Sequence, residues 1–341
     1  MQLMDLVPDL RPVILAARAY QDDRNSLTRF LPNTNVQAIT YRLGRRKRMD
    51  QTVPVRAFGS PATPIRRPGV VEVRGELPAI TPRVDLTETD LNIEFILAQQ
   101  LAGQQVDWST WVNAAAGLVS ATVDNTFELM RGQALSTGAV ALVAEDGDEH
   151  AVDFEVPDDN KIAVATAWST DPTKVFDDLE TGHGQFLDSS GAPAGVALTT
   201  NKVYRIMLNA LALKYPQAPV GQNELNAYLA NLNLPQVYTY DRVLVTDNGD
   251  GTKTKDRVYP EGHLTFLPQG DTIGRTELGV TQESIQQVQN QILTANEAAG
   301  LTIVTLGQDD PVARAVKGAA VGLPVIQDNE DIVIMSNLVA A

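Results

Sequence analysis

The sequence predicts an α+β fold, and three observations support it. A run of about 30 residues, 107–137, places apolar side chains at intervals of three and four, as one face of a long helix does. Acidic turns that contain glycine, at 145–148 and 247–251, each separate two strand-like runs and so predict hairpins. Helices and hairpins also follow one another without the strict strand–helix alternation that is typical of a parallel sheet.

Composition limits the classes of protein to consider. With 341 residues, of which 43% are hydrophobic, the chain can bury the core of two ordinary domains or of one elaborate domain. The absence of cysteine excludes disulfides, thiolate nucleophiles and cysteine-bound zinc, and agrees with a reducing compartment. Asp5 and Asp9 precede only a short apolar run, so we expect no secretory signal, no membrane span and a life in a cytoplasm.

Residues 1–40 are expected to form an N-terminal arm. A short apolar helix is predicted around residues 13–20, followed by an extended stretch that contains Pro32, Asn33 and Asn35. We expect this leader to have little core of its own.

Residues 41–85, the basic arm, stand out from an otherwise acidic chain. Ten Lys or Arg and four acids give the arm a net charge of +6, whereas the rest of the chain carries −21, and the whole chain −15. Six prolines prevent a helix from running through the arm, and the alternation in residues 69–77 predicts a two-stranded, solvent-exposed ribbon.

An isolated ribbon is marginally stable in water, so we expect the basic arm to lie on the acidic body of a neighbouring copy. The acidic body is itself a poor partner for nucleic acid, because phosphate neutralisation needs a basic face. The candidate inter-subunit contacts are Arg42, Arg45, Arg46, Lys47, Arg48, Arg56, Arg66, Arg67 and Arg74.

A helical region follows the basic arm. Asp85 or Thr87 can cap a first helix that extends to about Leu101, and the helix over 107–137 then forms a rod of roughly 45 Å. Such a rod is the backbone of an elongated body.

The remaining elements are predicted from local patterns. Residues 158–201 are rich in glycine and are expected to be mainly loop. Strands are predicted at 139–144, 150–156, 237–246, 252–266 and in the C-terminal part from 302 onward, and helices at 203–215, 223–232 and 284–299.

The sequence contains no recognisable catalytic or cofactor-binding motif. The histidines His150, His183 and His263 lie far apart in sequence without metal-ligand spacing, and surface or turn positions are the simpler interpretation. The run 182–187 lacks the third glycine of a dinucleotide fingerprint, and residues 246–257 place Thr246 and Arg257 where a calcium loop needs carboxylates. We therefore predict that the protein is not an enzyme and needs no cofactor or metal.

Several short motifs resemble those of one protein family. Residues 258–284 contain Phe266-Leu267-Pro268, then Gly274-Arg275-Thr276 and Gly279; residues 152–168 end in Ala-Trp, and Ser169 follows. Asp310-Pro311 and Leu323-Pro324 continue the pattern near the C-terminus. In this order the motifs resemble the major capsid proteins of lambda-type tailed bacteriophages, the major capsid protein E family, from about residue 40 onward.

The resemblance implies the fold shared by tailed-phage and herpesvirus shells. Its expected parts are an N-terminal arm (1–40), an extended hairpin loop (41–85), a peripheral domain (86–165) with a spine helix (107–137), an axial domain (166–300) and C-terminal strands (301–341) that return to both domains.

The implied function is self-assembly into the icosahedral shell that encloses the double-stranded DNA of a tailed bacteriophage. The implied partners are further copies in hexamers and pentamers, scaffolding, portal and decoration proteins, and packaged DNA without sequence-specific contacts. The shell would be assembled in the cytoplasm of a bacterial host. A cargo-enclosing compartment of the same fold and, from another class, a soluble hydrolase with paired acids are the alternatives.

Overall fold

A computed structural model gives the architecture of most of the chain. It describes residues 10–22, 24–46, 52–53, 55, 70–87, 89, 108–143, 149–217, 219–247, 251–270, 272–285, 295–298, 300–309 and 312–340. The helices are α1 (Arg11–Asp22), α2 (Trp108–Thr137), α3 (Val175–Ser190), α4 (Asn201–Lys214) and α5 (Gln222–Asn231). The 30-residue helix α2 confirms the rod that the apolar periodicity predicts.

The strands fall into an N-terminal, a central and a C-terminal group. The first comprises β1 (Asn33–Asn35), β2 (Thr40–Arg46), β3 (Val70–Glu76), β4 (Ala79–Ile80), β5 (Arg83–Leu86), β6 (Ala139–Val143), β7 (Glu149–Asp153) and β8 (Lys161–Ala163). The second comprises β9 (Val196–Thr199), β10 (Gln236–Thr239), β11 (Val243–Asp247), β12 (Lys253–Arg257) and β13 (Leu264–Leu267). The third comprises β14 (Gly274–Leu278), β15 (Ala295–Ala298), β16 (Leu301–Asp309), β17 (Val312–Ile326) and β18 (Val333–Ser336).

The long strand β17 organises the larger sheet. The strand order is β1-β14-β17-β16-β15, and β4 and β5 also pair with β17. Helix α2 packs across this sheet, with Val119 and Phe127 in one buried cluster with residues of β17. Close approach requires small residues on the strand, since a Cβ atom added at Gly322 would lie 3.0 Å from the Phe127 ring.

A second core lies around a five-stranded sheet of order β10-β9-β13-β18-β8. Helices α3, α4 and α5 contribute Phe186, Met207 and Leu229 to it, and Phe266 of β13 lies in the same cluster. Trp168 is fully buried there and donates its indole N–H to Asp178 at 2.8 Å. The chain therefore builds two hydrophobic cores, of which the second uses residues 164–234 together with parts of β13 and β18.

The N-terminal part of the chain belongs to the first core. Leu10, Ile14, Leu27 and Phe30 are fully buried in the cluster that contains α2 and β17. The predicted helix near residues 13–20 is confirmed as α1. Residues 10–31 thus supply apolar side chains to the body, which the expectation of a leader with little core did not anticipate.

Four local predictions are wrong, each where tertiary contacts override a local pattern. Residues 158–201 contain the 16-residue helix α3 instead of mainly loop, because its apolar face is buried in the second core. Gly182 in this helix reflects close packing, since a Cβ atom there would meet Met335 and Phe266 at 2.8 Å. Residues 295–298 form β15, which pairs with β16, instead of continuing a helix from 284.

The run 252–266 is two strands, β12 and β13, because the chain turns through Gly262 at φ +81°. The run 237–246 is likewise two strands, β10 and β11, which belong to different sheets. The two-stranded ribbon predicted from residues 69–77 is confirmed, since β3 in this run pairs with β2. Both predicted hairpin turns are confirmed by the pairs β6–β7 and β11–β12. The first helix predicted to reach Leu101 lies almost entirely outside the described residues.

Candidate subunit interface

The basic arm contains a two-stranded antiparallel ribbon. Strands β2 and β3 pair over seven residues, from Thr40 opposite Glu76 to Arg46 opposite Val70. Among the described residues this ribbon has no third strand. Within that part of the chain its backbone edges are open to pairing or contact with another surface.

The structure brings four of the nine predicted contact residues onto this ribbon. Arg42, Arg45 and Arg46 lie on β2, and Arg74 lies on β3 directly opposite Arg42. Like charges at opposed positions destabilise a ribbon unless counter-charges lie nearby. The other five, Lys47, Arg48, Arg56, Arg66 and Arg67, lie outside the described residues.

The root of the ribbon is fixed in the first core. Tyr41 is buried, and it lies over Gly75, where a Cβ atom would come within 2.5 Å of the tyrosine ring. Leu77 is also buried, and its backbone N–H donates to the carbonyl oxygen of Ile39 at 2.9 Å. The ribbon therefore leaves the body at a defined point, just beyond Tyr41 and Gly75.

The chain is attached to the large sheet on both sides of the ribbon. Before the ribbon, Asn33 of β1 pairs in parallel with Thr276 of β14. After it, Ile80 of β4 pairs with Ala320, and Val84 of β5 pairs with Val316, both on β17. The ribbon is therefore anchored on both sides to the sheet on which helix α2 packs.

A buried charged network joins α2 to the N-terminal segment. Glu128 is 0% exposed and Arg131 is 2% exposed, and their side chains form an ion pair at 3.0 Å. Glu128 also accepts hydrogen bonds from the backbone N–H of Leu27 at 3.1 Å and from the Tyr240 hydroxyl at 2.7 Å. Burial, together with the Glu128 carboxylate, raises the pKa of Tyr240 well above its ordinary value, so this hydroxyl stays a donor.

Arg131 completes the network on the other side. It donates from Nε to the Thr276 hydroxyl at 2.9 Å and from Nη2 to the Asn33 side-chain oxygen at 2.6 Å. The network therefore ties the segment that precedes the basic arm, helix α2 and β14 together. Sequence reasoning missed it, because Glu128 and Arg131 stand beside the apolar stripe of α2 like ordinary surface charges at i and i+3.

The body carries acidic groups on its surface. Asp158 and Asp159 lie in a short 3₁₀ turn, and Asp188 lies in the last turn of α3; all three are exposed. Asn160 holds the two elements together, since its amide donates to the Ser189 hydroxyl at 2.9 Å. We call Asp158, Asp159 and Asp188 the acidic corner.

The described histidines and clefts show no catalytic arrangement. His183 is buried in α3, so the surface interpretation is wrong for it, and burial lowers its pKa. A cleft of about 800 Å³ beside α4 contains Lys202 and Arg257, each of which is paired with Glu261, at 2.7 and 2.8 Å. Within the described ranges, no group of three His, Asp or Glu side chains is placed to hold a metal ion. In the same part of the chain, no helix has the length and apolar character needed to cross a membrane.

Comparison with solved structures shows the fold. The chain is similar to a prophage capsid protein from Escherichia coli CFT073, with 16% identity, a TM-score of 0.57, and coverage of 96% of this chain and 98% of that one. It is similar to a phage-related protein from Bordetella bronchiseptica RB50, with 11% identity, a TM-score of 0.53, and 96% of each chain covered. It is also similar to the capsid subunit of Cyanophage A-1(L), with 12% identity, a TM-score of 0.52, and 92% of each chain covered.

Comparison with protein families identifies the family. Curated proteins include no significant match to the chain. The family model for phage major capsid protein E matches residues 20–335, which is nearly the whole chain. The chain therefore belongs to the phage major capsid protein E family and is a structural protein of the virion shell.

Proposed function

We propose that copies of this capsid protein form a closed icosahedral shell of hexamers and pentamers, in which each basic arm lies across the adjacent subunit. The observation that carries this proposal is the β2–β3 ribbon, which leaves the body at Tyr41 and Gly75 and has no third strand in the described residues. A two-stranded ribbon needs a surface to be stable, and a neighbouring subunit supplies one.

Charge supports the choice of that surface. The arm carries +6 and the remainder of the chain −21, so arm and body attract each other between copies. Arg42 opposite Arg74 adds local repulsion that an acidic neighbour relieves. Each contact can be weak, because a subunit in a shell makes several at once.

The division of labour follows from the two cores. The first core, with α2 and β17, supports a peripheral domain built from 86–165 and the returning strands (301–341), and Tyr240 and Ile273 from the expected axial range also belong to it. Most residues of the second core lie within 166–300 and support an axial domain there. Residues 1–40 act as the N-terminal arm, although residues 10–31 are also built into the first core.

The shell encloses double-stranded DNA without sequence-specific contacts and is assembled in the cytoplasm of the bacterial host. Scaffolding, portal and decoration proteins are its further partners. The acidic body, with its net charge of −21, suits a wall that packaged DNA does not bind tightly.

A shortened ribbon tests the role of the arm. Gly44 pairs with Glu72, so replacing residues 45–71 by Asn-Gly closes a two-residue hairpin and keeps Tyr41 and Leu77 in the core. We expect this variant to keep the melting temperature of the body and to form no closed shells in negative-stain electron microscopy.

A point variant with a matched control sharpens the test. Arg42→Glu with Arg74→Glu is expected to block assembly, whereas Arg42→Lys with Arg74→Lys keeps the charge and is expected to assemble. Normal shells from the shortened ribbon or from the glutamate pair would refute the role assigned to the arm.

A further inference from the structure

The hairpin β11–β12 is a second two-stranded ribbon that the shell proposal leaves without a role. In the described residues it pairs with no other strand, and all five residues of β12 are exposed. The exposed strand β12 buries little surface against the rest of its own subunit, so the hairpin gains little stability from it. In the chain the hairpin lies between β10 and β13, far from the basic arm.

The outer face of this hairpin combines apolar and basic side chains. In the antiparallel register Val243 lies opposite Arg257, and Val245 lies opposite Lys255. Opposed residues share one face of a ribbon, and so do residues two apart, which places Lys253 on this face as well. Val243 is 39% exposed and Val245 57% exposed.

Contacts of the opposite face fix the orientation of the hairpin on the body. Leu244, between the two valines, packs against the first core. At the base, Arg242 donates to Gln21 at 3.0 Å and to Asn125 of α2 at 2.6 Å, and Val258 is buried. The valine face is therefore held outward by contacts with the spine helix and the N-terminal segment.

The charges on this face are only partly balanced. Arg257 pairs with Glu261 at 2.8 Å, and Lys253 lies opposite Asp247 in the register. Lys255 has no ion pair among the described residues, and its opposite residue is apolar. An exposed lysine beside two exposed valines suits a partner that is acidic and partly apolar.

The acidic corner offers that chemistry. Asp158, Asp159 and Asp188 have no ion-pair partner in the described part of the chain, and Lys161 is the nearby cation in the sequence. The corner is held rigidly, because Asn160 also donates to the carbonyl oxygen of Ile332 at 3.0 Å.

We propose that the valine–lysine face of hairpin β11–β12 docks on the acidic corner of a second copy of this chain in the assembled shell. The inference rests on the proposed shell but is separate from the contact of the basic arm. The two valines on the same face favour a protein surface over nucleic acid, since phosphates offer lysines a partner but give the valines nothing apolar to contact.

Charge reversal with rescue tests the pairing. Lys253→Glu with Lys255→Glu is expected to reduce the assembled fraction about tenfold in sedimentation velocity, because like charges then face each other across the contact. Adding Asp158→Lys with Asp159→Lys to the same chain is expected to restore assembly. Lys174→Glu, at an exposed lysine on the 3₁₀ turn before α3, is the control and is expected to assemble normally.

Cysteine trapping gives an independent readout, and the chain has no cysteine to interfere. Val245→Cys with Asp158→Cys is expected to yield a ladder of disulfide-linked chains when assembled protein is oxidised and run on a non-reducing gel. Val245→Cys with Thr173→Cys, an exposed residue away from the corner, is the matched control and should give no ladder.

The outcomes separate the two proposals. If the unaltered chain forms no shells, both fall. Two results would overturn the hairpin contact alone, provided that the unaltered chain forms shells. One is normal assembly of the variant with Lys253→Glu and Lys255→Glu. The other is the absence of a ladder from the Val245–Asp158 cysteine pair. Intact shells of the glutamate pair that have lost nucleic acid would assign the hairpin to the DNA and would equally overturn it.

Discussion

Replacing Arg131 by methionine tests the buried network that fixes the segment before the basic arm to helix α2. The guanidinium group forms an ion pair with Glu128 at 3.0 Å, and both side chains are buried. Arg131→Met keeps most of the volume of the side chain but leaves the Glu128 carboxylate without its cation. Breaking a buried pair in this way costs about 3–5 kcal/mol of stability.

A second variant separates the charge from the packing. Adding Glu128→Gln removes the stranded charge, while the Gln oxygen still accepts from the Leu27 N–H and the Tyr240 hydroxyl. The cost that remains is about 1–3 kcal/mol, since the buried Thr276 hydroxyl loses its donor. The double variant is therefore expected to be about 2 kcal/mol more stable than Arg131→Met alone.

Urea unfolding followed by far-UV circular dichroism measures both differences, from the shift of the midpoint at constant slope. Arg83→Met is the control: this arginine also pairs with a carboxylate, that of Asp85, at 2.5 Å, but the two side chains are 51% and 53% exposed. Exposed pairs contribute about 0–1 kcal/mol, so the control is expected to change little. A double variant as unstable as Arg131→Met would show that lost packing, and not a stranded charge, causes the effect.

Two further predictions concern helix α3. Gly184→Ala is expected to stabilise the protein by about 0.5–1 kcal/mol, since nothing lies within 4 Å of the added Cβ atom. Gly182→Ala is expected to cost about 1–3 kcal/mol, because its Cβ atom contacts Met335 and Phe266. Thermal unfolding of the two variants checks that the changes in stability have opposite signs. Burial lowers the pKa of His183 below its ordinary value of 6.5, so the unfolded chain binds a proton more readily than the folded chain. The contribution of the neutral imidazole to the free energy of unfolding is therefore complete above about pH 6.5 and is lost as the pH falls below it. His183→Gln is expected to lose less melting temperature than the unaltered chain between pH 7.5 and 5.5, and an equal loss in both would contradict this origin of the acid sensitivity.

Elements with a strong local signal are those that the sequence predicts well. Helix α2 has an unbroken apolar period, and both glycine-containing turns lie between strands of opposite direction. The family resemblance also rests on local motifs, such as Phe266-Leu267-Pro268 at the end of β13. The family match over residues 20–335 confirms it.

Features that depend on contacts between residues far apart in sequence cannot be predicted from local patterns. Helix α3 contains Gly182 because β13 and β18 pass close by, and only the fold shows those neighbours. Glu128 meets Leu27 and Tyr240, which are about 100 residues away on either side, so nothing in its local sequence distinguishes it from a surface acid. The pairing of β2 with β3 likewise joins residues on either side of the arm's tip.

A cryo-electron microscopy map of shells formed by the full chain tests the central claim most directly. If the basic arm lies across the neighbouring copy, density for the ribbon leaves each subunit beyond Tyr41 and Gly75 and lies on an acidic surface of the adjacent subunit. A ribbon that folds back on its own subunit, or a chain that stays a monodisperse monomer under all assembly conditions, would contradict it.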